Sequence, residues 1–180
     1  MAPLTFAGVG WILATLGVSG PLGVHIGIVG VAVTLLGVYR IRWRNQALAW
    51  TLWASAALLV SLIALFVPIP RTFLHVLLIS TLQAVVGVGL ATGVREGLVG
   101  GGSDPSVPPV VHLPFVRILI LVSFGGTLAA VIVDALVFAV PYGTLLLLGF
   151  LALVTNLWLA VILVKVRNEP SVQEHTSGEA

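Results

Sequence analysis

The placement of the basic residues constrains this chain more than any other feature of its sequence. Arg40, Arg42, Arg44, Arg95, Arg117, Lys165 and Arg167 all fall at one set of ends of successive long apolar segments, and only Arg71 falls at the other. Lys and Arg concentrate in the short cytoplasmic connections of membrane proteins, so a seven-to-one split gives each apolar segment a direction across a bilayer. The side rich in positive charge also holds both termini, which places both in the cytoplasm.

Composition excludes a water-soluble domain. Hydrophobic residues make up 59% of the chain and charged residues 8%, whereas a soluble domain carries about a quarter of its residues charged. The net charge of +2 is taken up by topology, so it implies no nucleic-acid partner. Without cysteine there is no disulfide framework, thiolate metal site or thiol nucleophile. Met1 to Phe6 lacks the basic start of a secretory signal, so the first apolar segment is expected to stay in the mature protein.

Six apolar stretches of helical length run over about 4–19, 22–39, 47–67, 73–94, 115–139 and 142–166. A hydrocarbon core about 30 Å thick takes about 20 helical residues, so the last four are comfortable and the first two short. A five-span chain with one of the first two stretches re-entrant is the alternative topology. Ser19-Gly20-Pro21, Pro68-Ile69-Pro70 and Pro141-Tyr142-Gly143 are built of helix breakers, each ending one helix and starting the next within a few residues. The expected fold is an all-α integral membrane protein of six transmembrane helices, arranged as three consecutive helical hairpins with both termini cytoplasmic. Residues 1–167 form the bundle. Segment 95–114, containing VGGGSDPSVPP, is expected as a cytoplasmic loop, and 168–180 as a disordered cytoplasmic tail. Trp43, Trp50 and Trp53 flank the cytoplasmic end of the third span as interface anchors.

Small residues recur at helical spacing. The sets are Gly23 and Gly27; Gly89 and Gly93; Ser123, Thr127, Ala130 and Asp134; and Gly149, Ala152, Asn156 and Ala160. Such stripes let helices approach closely where lipid removes the hydrophobic drive, so they are expected to be packing faces.

Polar residues inside the spans carry the functional information, since an ionisable group at a span centre costs about 2.5 to 3.5 kcal/mol. Asp134 is the one carboxylate within an expected span, and His25, His75 and Arg71 fall at the same outer depth. Three accounts of this layer stay open. Arg71 and Asp134 form a structural ion pair between the second and third hairpins, with interfacial snorkelling of the rest. Alternatively, Asp134 binds a proton or cation that a histidine relays. In the third account His25 and His75 ligate one haem b. The stretch Thr81-Leu82-Gln83-Ala84-Val85-Val86-Gly87 and the His25 start of the second span resemble spans of the haem A synthases. No glutamate precedes His25 as that family's motif requires, so no catalytic role is carried over. Gln83 and Asn156 sit mid-span and are expected to hydrogen-bond to neighbouring helices. His112 reads as a loop residue, and His175 lies in the tail.

No phosphate-binding loop, dinucleotide fingerprint, H-E-x-x-H or G-x-S-x-G occurs, and no catalytic residue or metal site is assigned. The expectation is a non-enzymatic accessory, scaffold or assembly subunit in contact with the lipid bilayer and with other membrane subunits or a second copy of itself. A haem b protein and a small transporter using Asp134 are the alternatives. Arginine outnumbers lysine in a chain rich in Gly, Ala, Val and Leu, which points to a prokaryotic plasma membrane.

Overall fold

A computed structural model describes residues 3–18, 23–42, 45–66, 73–100, 108–137 and 142–166. These form six helices and, among the described residues, no strand: α1 (Pro3–Val18), α2 (Val24–Ile41), α3 (Gln46–Ala64), α4 (Phe73–Gly100), α5 (Pro108–Val137) and α6 (Tyr142–Val166). Five of them, α2 to α6, are long and apolar enough to cross a membrane. At 16 residues α1 extends about 24 Å, short of a hydrocarbon core of about 30 Å.

The boundaries differ from expectation around the segment 95–114. Helix α4 continues to Gly100, and α5 starts at Pro108, so only 101–107 lies between them. Proline is well tolerated at the start of a helix, where its missing N–H would have no partner. Pro114, inside α5, removes one backbone bond, to the carbonyl of Val110. His112 is accordingly a helical residue, its ring 5.9 Å from that of Trp158 on α6. The three breaker junctions, except Tyr142 and Gly143, lie outside the described residues, as do Arg71, Trp43, Arg44, Arg167 and the tail.

Consecutive helices pack side by side, and α6 returns against α1 to close a ring. The most intimate pair is α1 with α2. A side chain built at Gly17 would overlap the backbone of Gly27, at Gly30 that of Ala14, at Gly37 that of Ala7, and at Gly10 that of Thr34. The pairs 7–37, 10–34, 14–30 and 17–27 define one antiparallel register along both helices. Glycine and alanine let the two backbones touch, and dispersion across that contact replaces the hydrophobic drive missing in lipid. Thr34 fits this face because its hydroxyl donates to the carbonyl of Gly30 at 2.9 Å. Gly23 belongs to another role. It caps α2 at φ +81°, a conformation that disfavours side chains, and has nothing within 4 Å; the packing stripe is Gly27, Gly30, Thr34 and Gly37.

The next pair uses the same device in looser form. Gly89 and Gly93 of α4 face Thr51 and Leu48 of α3. Asn45 ties the pair at one end: its side chain caps α3 by accepting from the Leu48 N–H at 2.9 Å and donates to the Gly93 carbonyl at 2.6 Å. Gly8 of α1 lies against Val164, Leu163 and Ala160 of α6, which sets the start of α1 beside the end of α6. Arg40 near the end of α2 stands over the Phe6 ring of α1, 5.4 Å from its centroid. Trp50 and Trp53 project outward from the first turns of α3.

Replacing Gly30 by alanine should lower the unfolding free energy of the detergent-solubilised protein by about 1–3 kcal/mol through overpacking, read by sodium dodecyl sulfate titration. Gly143→Ala, at a site with nothing within 4 Å, should leave the midpoint unchanged.

Candidate functional site

The centre of the ring is set by Trp11. Its side chain is fully buried and reaches from α1 to within 3.5 Å of the Cβ position of Gly87 on α4. The indole N–H donates to Oδ1 of Asn156 on α6 at 3.2 Å. Asn156 in turn donates through Nδ2 to the Ala152 carbonyl one turn back, at 2.8 Å. Gly87 makes room for the pair, since a Cβ there would come within 3.2 Å of Asn156 Oδ1 and 3.1 Å of Ile120. A mid-span amide and a mid-span indole thus satisfy each other across the bundle, as buried polar groups in lipid require.

On the other side of Asn156 a cleft of about 340 Å³ opens between α4, α5 and α6. Its polar lining is Ser80, Gln83, Ser123, Thr127 and Asn156, and its apolar lining includes Phe124, Leu146 and Phe150. Gln83, Ser123 and Asn156 are buried, whereas Leu146 and Phe150 are exposed on the outer surface of the bundle. The Ser123 hydroxyl donates to the Ile120 carbonyl at 3.0 Å and that of Thr127 to the Ser123 carbonyl at 2.8 Å. Such back-bonding satisfies a hydroxyl within its own helix, and Thr51, Ser55, Ser61, Thr81 and Thr155 do the same. Thr15 departs from the pattern: its Oγ1 is buried with no hydrogen-bond partner among the described residues.

The structure therefore brings Gln83 and Asn156 to one cleft, together with Ser123 and Thr127 from a stripe expected only to pack. Gly149 of the α6 stripe also lines this cleft, with nothing within 4 Å. The histidines are placed otherwise. The His25 ring is exposed and stands 4.8 Å from the ring of Phe66 at the end of α3. His75 is half-buried on α4, and α2 and α4 each pack along α3. No group of three or more metal-ligating side chains occurs among the described residues. Asp134 is a residue of α5, seven positions beyond Thr127, but its side chain and the whole of Arg71 lie outside the described residues, as does any pair between them. Sequence reasoning missed Trp11. An indole inside an apolar segment reads as core, and its partner is 145 positions away.

Six helices, five of them long and apolar enough to span a bilayer, closed around a buried indole–amide pair, define a helical bundle of the membrane-protein class. Compared with known proteins, the chain matches no family model, no curated protein and no solved structure.

A double-mutant cycle of Trp11→Phe and Asn156→Leu, read by unfolding in detergent, should give a coupling energy of about 0.6 kcal/mol and at most about 1.7, the range of hydrogen bonds between membrane helices. Additive effects would show that the bond contributes nothing.

Proposed function

We propose that this chain is a six-span subunit of a prokaryotic plasma membrane, three helical hairpins with both termini in the cytoplasm, that acts without catalysis by packing its outer face against another membrane span. The basic residues support the orientation. Arg40, Arg42, Arg95 and Lys165 all lie towards the ends of α2, α4 and α6, the ends that share a side with the start of α1.

The observation that carries the docking role is the outward face of α5. This helix packs against α4 and α6 alone to any extent, and 17% of its span Val111–Val133 is buried, against 50% for the α4 span Leu77–Leu98. On its exposed side Gly125 and Ala129 stand four residues apart, and nothing lies within 4 Å of the Gly125 Cβ position. Where this chain spends glycine and alanine at such spacing in α1 and α2, two backbones meet. A lipid-facing helix with no partner gains nothing from a glycine there, whereas an approaching span gains a close seat. His25 standing on Phe66 favours this reading over haem b ligation by His25 and His75.

Photo-crosslinking amino acids placed in host membranes at Ile118 and Val122 of α5, and at Val29 and Leu36 of α2, test it; all four are exposed. Discrete protein adducts are expected from α5 alone and should be lost in Gly125→Ile. Lipid adducts only from α5, or the same protein adducts from α2, would contradict the reading.

A further inference from the structure

The cleft between α4, α5 and α6 faces away from Gly125 and is not needed for docking, so its polar lining calls for a separate explanation. We infer that it is a binding site for the head of an uncharged lipid alcohol, a long-chain molecule whose hydroxyl enters the cleft and whose chain lies in the bilayer.

Three observations lead to this class of ligand. The first is charge. None of the described lining residues is Asp, Glu, Lys, Arg or His, so an ionised head finds no counter-charge among them, at a cost of several kcal/mol. The described lining therefore favours an uncharged head over a phosphate.

The second is the direction of the hydrogen bonds. A hydroxyl has one hydrogen to donate and two lone pairs to accept with. Ser123 and Thr127 have each committed that hydrogen to their own helix, so towards the cleft they act as acceptors. They stand one helical turn apart on one face of α5. A ligand that satisfies them must donate, and a hydroxyl is the smallest neutral group that both donates to Ser123 or Thr127 and accepts from an amide. Asn156 Nδ2 keeps one hydrogen beyond the one given to Ala152, which supplies that amide donor on the opposite wall.

The third is shape. A volume of about 340 Å³ lies at the lower end of the range of small-molecule sites, enough for a head and its first carbons. Leu146 and Phe150 line the cleft and are also exposed on the outside of the bundle. The chain of an amphiphile can therefore run from the cleft past these two side chains into the lipid. Gly149 lies between them in sequence with nothing within 4 Å, which keeps that exit open.

The test uses the full chain in detergent with a long-chain primary alcohol that carries a diazirine near its hydroxyl. Adducts mapped by mass spectrometry should fall on the cleft residues of α4 and α6. The unlabelled alcohol should compete, while its methyl ether, which cannot donate, and a phosphatidylglycerol of equal chain length should compete at least tenfold more weakly. Ser123→Ala combined with Thr127→Val, which removes both acceptors at nearly unchanged volume, should weaken labelling about fivefold, the effect of one neutral hydrogen bond. Gly149→Leu should abolish it by closing the exit. Each variant is first shown to unfold at the wild-type detergent midpoint, and one that fails is replaced by Phe150→Ala, which should lower labelling by loosening the chain. Equal competition by the ether would overturn the inference by showing that the head is not read. Equal competition by phosphatidylglycerol would overturn it by showing a general lipid site. Adducts scattered over the outer faces, or labelling unchanged in Gly149→Leu, would show that the cleft is not the site.

Discussion

In a bilayer the hydrocarbon around two helices is as apolar as their side chains, so contact has to be supplied by close approach, and in this chain it is supplied first between α1 and α2. Four backbone contacts in one register, with glycine at 10, 17, 27, 30 and 37 and alanine at 7 and 14, hold a 16-residue helix that is short for a membrane crossing. Helix α1 has half its residues buried, and its position determines the rest. Gly8 sets it against α6, and Trp11 reaches the axis of the bundle and meets Asn156 there. Without the glycine face, α1 would stand off, and the indole would not reach the amide that keeps the centre polar and satisfied.

Polar groups are handled by two means. Most of the buried hydroxyls, Thr15 excepted, bond back to their own helices, while Asn45, Trp11 and Asn156 bond across helices. The first means leaves lone pairs available at the surface of the helix without any unsatisfied hydrogen. Grouped on α5 beside the buried amides, the lone pairs of Ser123 and Thr127 give the described lining of the cleft its hydroxyl acceptors. The same packing that buries Ser123 thereby gives it a chemical preference.

Much of the fold was legible in the sequence because helix length and apolar content are local properties. The six stretches lie within a few residues of α1 to α6 at most ends. The exceptions lie where α4 continues past Arg95 to Gly100 and α5 starts at Pro108, since glycine-rich and proline-rich runs read as loop although helix ends tolerate both. Gly89 and Gly93 were recognisable as packing residues. Gly23 was not distinguishable from Gly27, because spacing alone does not show which glycine carries a positive φ. The polarity of Gln83 and Asn156 was legible and their convergence was not: it depends on which helices become neighbours. The outer layer of His25, His75, Arg71 and Asp134 rested on matched depth, and depth says nothing of position around the ring, where His25 faces Phe66.

The claim on which the rest depends is that α1, held by the glycine face of α2, is a full crossing. The natural chain has no cysteine, so single cysteines at Ala2, Ile69 and Ser177 can be tested with a membrane-impermeant maleimide on intact cells and on inverted vesicles. Six crossings predict that Ala2→Cys and Ser177→Cys both react only in inverted vesicles, while Ile69→Cys reacts only on intact cells. Reaction of Ala2→Cys and Ser177→Cys from opposite faces would show an odd number of crossings and remove α1 as a span.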